Sequence, residues 1–253
     1  MDISYYTDLA KEIRKKVLSL VYKAQTSHIG SNFSITDLGV VVYENLQKED
    51  RVVWSKGWCA ALIYTLLARK GILKQEDVDT FPQHPYIGLA ETDVQGVEVC
   101  GGSMAHGLNT ACGMALGKRD AAEEGRIFCF MSDGELQEGT TWEAAWFAAK
   151  NRLHNLTAII DCNKFCAMGR TEEVADMEPL EDKWKSFGWN VMRIDGHNFK
   201  EIEEAILSSD RLKPTMIIAD TIKGKGVSWM EGNLLYHYKY ISDEENKRAM
   251  MEL

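Results

Sequence analysis

Residues 126–164 read RIFCFMSDGELQEGTTWEAAWFAAKNRLHNLTAIIDCNK, and this stretch decides the fold. Its ends, Arg126-Ile127-Phe128-Cys129-Phe130-Met131 and Leu156-Thr157-Ala158-Ile159-Ile160, are short apolar runs rich in β-branched and aromatic residues, as buried strands are. Between them, Thr140 to Leu153 repeats apolar residues at helical spacing. A strand, a helix and a second strand in that order make a right-handed crossover between parallel neighbours. The alternation continues downstream. Trp189-Asn190-Val191-Met192-Arg193-Ile194 and Thr215-Met216-Ile217-Ile218-Ala219 read as strands, and Leu180 to Phe187 and Phe199 to Leu207 as short helices. Upstream, Asp8 to Tyr22, Ser34 to Leu46 (opening on cap-like Ser34 and Thr36), Gly57 to Ala68 and Ser103 to Leu116 read as helices, with Val52-Val53-Trp54 as a strand. The chain is therefore predicted to be α/β, with a parallel sheet covered by helices on both faces. With no repeat, low-complexity tract or linker, residues 1–253 form a single domain.

Ligands of such sheets bind beyond the carboxyl ends of the strands. There the first strand runs into Ser132-Asp133-Gly134-Glu135 and the second into Asp161-Cys162-Asn163-Lys164-Phe165. Asp133 and Asn163 are thirty positions apart, one strand–helix–strand unit, so both project from the same edge of adjacent strands. A carboxylate, an amide oxygen and a nearby backbone carbonyl make an incomplete shell of hard oxygens, suited to Mg²⁺ that keeps positions for phosphate and water. Gly134 lets backbone approach a phosphate closely. The competing reading is that Asp133 and Asn163 are ordinary turn and cap residues.

Composition narrows the function. The 253 residues carry 29 Lys and Arg against 38 Asp and Glu, a net charge of −9 that repels polyanions and argues against nucleic-acid binding. The chain has no apolar run long enough for a membrane span and no secretory leader, so a soluble, cytoplasmic protein is expected. The six cysteines form no C-x2-C pair and read as buried free thiols.

The same stretch resembles the thiamine-diphosphate domain of transketolase, specifically the amino-terminal half of split, two-subunit transketolases. The family's Gly-Asp-Gly with a following Asn is similar to Ser132-Asp133-Gly134 with Asn163. The likeness runs on through Glu135-Leu136-Gln137-Glu138-Gly139, Trp142-Glu143-Ala144-Ala145, Glu178-Pro179-Leu180, Lys183-Trp184, Phe187-Gly188-Trp189, Asp195-Gly196-His197 and Thr221-Ile222-Lys223-Gly224-Lys225-Gly226-Val227. Upstream, Thr26-Ser27-His28-Ile29-Gly30 resembles the family's Ser-Gly-His-Pro-Gly. Gly101-Gly102-Ser103-Met104-Ala105-His106-Gly107 resembles its Thr-Gly-Ser-Leu-Gly-Gln-Gly.

The resemblance implies thiamine diphosphate and Mg²⁺ as cofactors, with Ca²⁺ or Mn²⁺ as substitutes. It implies transfer of a two-carbon ketol unit from a ketose donor to an aldehyde or another carrier. Gly102, Ser103 and Met104 would face the cofactor rings. Asp133, Asn163 and the Phe165 carbonyl would hold the metal, and Gly134, with Glu135 beside it, the diphosphate. His28 would sit over the reacting carbon, with His237 and His84 as further catalytic histidines and His237 also near the diphosphate. His154 and His197 read as structural, His106 as structural or supporting, and Trp142, Trp146 and Phe147 as helix core.

Trp58, in Ser55-Lys56-Gly57-Trp58, replaces a family histidine used at the diphosphate and substrate, and it cannot accept or carry a proton. Whole transketolases also carry a pyrimidine-binding and a carboxyl-terminal domain. The resemblance places these on a partner, the C-terminal transketolase subunit of an α2β2 assembly, which supplies the glutamate that activates the cofactor. The expected substrate is a sugar or sugar phosphate. Two readings compete with an ordinary transketolase half: a specialised carboligase with an unusual donor or acceptor, and a regulatory or cofactor-binding subunit without catalysis. The nicotinamide-binding alternative is weaker, because no G-x-G-x-x-G follows an early strand.

Overall fold

The computed structural model describes residues 2–83, 88–208 and 212–253. Five strands, β1 (Arg51–Trp54), β2 (Ile127–Ser132), β3 (Leu156–Cys162), β4 (Asn190–Asp195) and β5 (Thr215–Asp220), form one parallel sheet in the order β1-β2-β3-β5-β4. The helices are α1 (Ile3–Ala24), α2 (Ile29–Ser34), α3 (Thr36–Asn45), α4 (Ala60–Arg69), α5 (Gln75–Asp79), α6 (Gly107–Asp120), α7 (Gly139–Lys150), α8 (Thr171–Ala175), α9 (Leu180–Ser186), α10 (Phe199–Leu207) and α11 (Asp243–Glu252).

The central strands are largely apolar because both of their faces are covered. Side chains alternate between the faces. Trp54, Phe128, Phe130, Ile159 and Ile217 join a core with α1, α3, α4 and α10, while Val53, Cys129, Met131, Ala158 and Ile160 join a second with α6, α7 and α9. Strand β4 lies at the edge and is only half-buried. Among the described residues no helix is long and apolar enough to cross a membrane.

The structure corrects four expectations. The helix expected from Ser103 begins at Gly107, because tertiary bonds hold the preceding loop. Ala105 N–H donates to Glu135 Oε2 (3.2 Å), Gly107 N–H donates to Ser55 Oγ (3.1 Å), and Ala105 is left-handed at φ +66°. A side chain at Gly101 would run into the Trp54 carbonyl. The helix expected from Ser34 is two helices, and Ser34 ends the first instead of capping the second. Trp142 packs with Trp184 and Phe187, but Trp146 on the outer face of α7 is 62% exposed, and Phe147 is exposed too, so the three are not a common core. Five thiols are buried as expected, whereas Cys100 is exposed.

Candidate active site

Strands β2 and β3 pair Ser132 with Asp161, so the turns that follow them lie side by side. The first is a 3₁₀ turn, Asp133–Gln137, opened by a capping box in which Glu135 Oε1 accepts from Ser132 N–H at 3.0 Å. Asp133 is buried. Its Oδ1 accepts from Gly134 N–H (2.9 Å) and its Oδ2 from Lys164 N–H (2.6 Å), which ties the two turns together. Burial and then the charge of Asp161 push the Asp133 carboxyl up to about 7. Asn163 Oδ1 accepts from Phe165 N–H at 3.1 Å. The bridge between Phe165 and Arg170 is bonded through Thr171 N–H to Lys164 O and Cys166 N–H to Gly169 O, so the Phe165 carbonyl lies outside that ladder.

Beneath these turns lies a charge network that sequence reasoning missed. Asp161 is fully buried and accepts from Lys56 Nζ, Thr221 Oγ1, Ser34 Oγ (2.6 Å) and Asn163 Nδ2 (3.1 Å). Burial opposes its charge, but Lys56 and the hydroxyl donors hold its carboxyl below the usual range. Lys56 Nζ also donates to Ser31 O at 3.1 Å. Lys223, buried as well, donates from Nζ to Ser31 Oγ (3.1 Å) and reaches His237 Nδ1 (3.1 Å). Burial and the Lys56 charge lower Lys223 to about 8. The one available signal was position, since Lys56, Asp161 and Lys223 each stand at or just beyond the carboxyl end of a strand.

A cavity of about 370 Å³ opens above the network. Its walls include His28, Trp58, Gly102, Met104, Gly134, Glu135, Asn163, Phe165 and His237, so most of the expected residues come together. Asp133 lies just behind this wall, in a neighbouring cleft with Cys162 and Lys164. Ser103 is exposed and outside the wall, and His84 lies outside the described residues. Both carboxylate oxygens of Glu135 are taken by protein donors, Oε2 by Ser55 and Ala105 and Oε1 by Ser132.

His28 sits in a left-handed conformation at φ +69°, with its N–H on the His237 carbonyl (3.0 Å) and Nδ1 against Ser27 Oγ (2.6 Å). Burial, then the charges of Lys223 and Lys56, lower His28 to about 4, and burial and the same lysines with His28 lower His237 to about 3. Both imidazoles are therefore neutral at neutral pH. An ammonium has no lone pair, so His237 Nδ1 accepts from Lys223 and its proton rests on Nε2. The two histidines of structural reading stay so. His197 bridges Asp37 (2.7 Å) and Ile222 N–H (2.9 Å), and His154 is exposed. His106 stands exposed at the start of α6.

The donor set fits a hard divalent cation. Asp133 is a buried carboxylate with no ion-pair partner among the described residues, held up in its pKa by burial and then by the charge of Asp161, so added positive charge is favoured. Among the described residues no three His, Cys, Asp or Glu side chains cluster, so a cation here rests on one carboxylate plus amide and backbone oxygens.

Comparison with known proteins agrees with this geometry. A family model described as "Transketolase, thiamine diphosphate binding domain" matches residues 6–253. A 6-deoxy-6-sulfo-D-fructose transketolase subunit from Clostridium sp. (strain MSTE9) is 38% identical, covering 96% of this chain and 94% of its own. One of the subunits of the apulose-4-phosphate transketolase from Phocaeicola vulgatus is 35% identical, with 95% and 90% covered. The solved transketolase of Campylobacter jejuni superposes with a TM-score of 0.91 at 28% identity, covering all of this chain but 43% of that one. The chain thus spans nearly the whole of the relatives named as subunits and less than half of the Campylobacter protein.

Proposed function

This chain belongs to the transketolase family, and we propose that it is the thiamine-diphosphate-binding half of a two-subunit, Mg²⁺-dependent enzyme that transfers a two-carbon ketol unit from a ketose donor to an aldehyde or carrier acceptor. The observation that carries this reading is the convergence of Asp133 and Asn163 at adjacent strand ends behind a cavity walled by two neutral histidines.

Asp133, the Asn163 amide oxygen and the Phe165 carbonyl would hold the cation. At Gly134 a Cβ would stand 3.3 Å from the Cys166 side chain, so the bare backbone keeps space for the diphosphate. Gly102 and Met104, both in the cavity wall, would face the cofactor rings, with Ser103 between them and Glu135 bracing that loop. Bound thiamine diphosphate supplies the nucleophilic carbon and the electron sink for carbon–carbon cleavage. This chain's residues orient the donor and stabilise developing charge. His237 offers an Nε2–H, and His28, neutral and shielded, meets a substrate oxygen without a competing charge of its own. By the resemblance His84, which lies outside the described residues, would be a third member of that set.

Among the described residues Glu135 is the sole carboxylate in the cavity wall, and it is already engaged. The acid that activates the cofactor is therefore assigned to a partner carrying the pyrimidine-binding domain, two copies of each chain making the assembly. The relatives' names as subunits support that division. A cytoplasmic location accords with five buried free thiols.

The donor carries an anionic end, phosphate or sulfonate, as the relatives' names suggest. Substituting Trp58→His adds a polar group at the mouth of the cavity. It is expected to change the ratio of kcat/KM between a ketose phosphate and a 6-deoxy-6-sulfo ketose by about tenfold, the effect of one gained or lost polar contact. An unchanged ratio would remove Trp58 from donor selection.

A further inference from the structure

Trp58 stands at the mouth of the cavity with 39% of its surface exposed, yet its ring is anchored. Its Nε1–H donates to the Gly102 carbonyl at 3.1 Å. The turn that carries it is clamped at Gly57, whose N–H donates to Gly101 O (3.3 Å) and whose carbonyl accepts from Ala90 N–H (3.0 Å). The indole thus spends its only polar atom on the protein and turns aromatic surface toward the site.

The ring of His28 lies on that surface, centroids 4.9 Å apart and planes 13° from parallel. Its backbone is fixed by the His237 carbonyl and by the Asn32 side chain, which donates to the His28 carbonyl at 2.9 Å. The outer torsion of a histidine is broad and roughly two-fold, so a fixed backbone does not fix the ring plane. The Ser27 hydroxyl, 2.6 Å from Nδ1, holds one edge of the ring, and the parallel aromatic plane holds its face. The His237 ring, at 4.7 Å and 59°, and the Tyr238 ring, at 6.2 Å, pack less nearly parallel to it.

We propose that Trp58 is a positioning residue for His28: the anchored indole holds the imidazole in one orientation and shields it from water. The inference rests on His28 belonging to the proposed transketolase site, but its test needs neither cofactor nor substrate. Among the described residues the charged and titratable groups around His28 are Lys223, beyond β5, Lys56, beyond β1, and His237 and Tyr238 on the segment after residue 233. Trp58 hydrogen-bonds to the Gly102 carbonyl and to none of these four groups.

The experiment is a pH titration of the full chain by long-range proton–nitrogen NMR of the histidine rings, for wild type, Trp58→Phe, Trp58→Leu and Trp58→Ala. Wild-type His28 is expected to titrate near 4 and to show the nitrogen shifts of a single tautomer. Trp58→Phe keeps an aromatic plane without the bond to Gly102, so the midpoint should stay within about half a unit of wild type. Trp58→Ala should move the midpoint up by about 1 unit or more toward the ordinary value near 6.5, as water reaches the ring, and average the tautomer shifts. Trp58→Leu keeps apolar cover without a plane, so the shifts should average with a smaller move of the midpoint. His197, held by Asp37 away from Trp58, reports whether each variant is folded. With His197 undisturbed, a Trp58→Ala protein whose His28 keeps its midpoint and its single tautomer would overturn the proposal. If Trp58→Ala alone disturbs His197, a Trp58→Leu protein identical to wild type in both readings does so. In an active assembly the same change should lower kcat about tenfold and leave KM nearly unchanged, as for a group acting beyond ground-state binding.

Discussion

An Asp133→Asn variant of the cofactor-free chain will melt higher than wild type at pH 7.5, and mixed with the partner subunit it will bind thiamine diphosphate far more weakly. Asp133 is buried without an ion-pair partner among the described residues, and its folded pKa of about 7 lies above the unfolded value near 3.9. Between those two values the folded chain keeps a proton that the unfolded chain has given up. The stability contributed by this group is therefore full below about pH 4 and is lost as the pH rises through 7. The penalty at pH 7.5 is on the order of 2–4 kcal/mol. An asparagine removes the charge but leaves one of the two N–H donors, on Gly134 and Lys164, without an oxygen acceptor, at about 1–2 kcal/mol. The net gain should raise Tm by about 2–6 °C at pH 7.5 and vanish at pH 4, read by scanning calorimetry. Affinity for thiamine diphosphate with Mg²⁺ should fall at least about 100-fold, because the only carboxylate in the donor set is gone. A variant that melts lower at pH 7.5, or that binds normally, contradicts the assignment.

The second large effect is at Asp161. Substituting Asp161→Ala leaves Lys56 buried without its ion-pair partner and strips an acceptor from Ser34, Thr221 and Asn163. Removing one partner of a buried pair costs about 3–5 kcal/mol, which for a chain of this size lowers Tm by roughly 6–20 °C. The double variant Asp161→Ala with Lys56→Met should recover at least half of that loss, since much of the damage is the unpaired ammonium. Recovery of none would show that the hydroxyl and amide bonds, not the charge, hold this floor together. The folded Asp161 carboxyl lies below its ordinary value, so its contribution is present above the unfolded pKa and fades as the pH falls through the folded one. Stability at acid pH therefore shows opposite trends at Asp133 and Asp161, and the two variants separate them.

The strands and helices around residues 126–164 were legible because β2 and β3 are buried on both faces and α7 on one, and burial leaves its periodicity in the residues. Asp133 and Asn163 were legible from spacing alone, since one crossover unit must return its ends to the same edge. The floor of the site was not. Lys56, Asp161 and Lys223 meet only when three strands that are distant in the chain lie in one sheet, and no local pattern encodes that meeting. The start of α6 was misplaced for a related reason: residues 103–106 have helix-compatible side chains, but Glu135 and Ser55 pull the backbone here into another path. Trp146 shows the limit of periodicity from the other side, since an apolar pattern on a helix does not reveal which of its faces has a neighbour. The stack of Trp58 on His28 joins residues thirty positions apart across α2 and α3, and only the folded chain displays it.

The central claim is that this chain holds half of a thiamine-diphosphate site. Its most direct test is calorimetric titration of thiamine diphosphate, with Mg²⁺ present, into this chain mixed with the subunit that carries the pyrimidine-binding domain, using Asp133→Asn as the control. The account predicts saturable binding by the mixture, one cofactor per copy of this chain, and none with the variant. Absence of binding in every mixture, or ketol transfer by this chain with no second subunit, would contradict it.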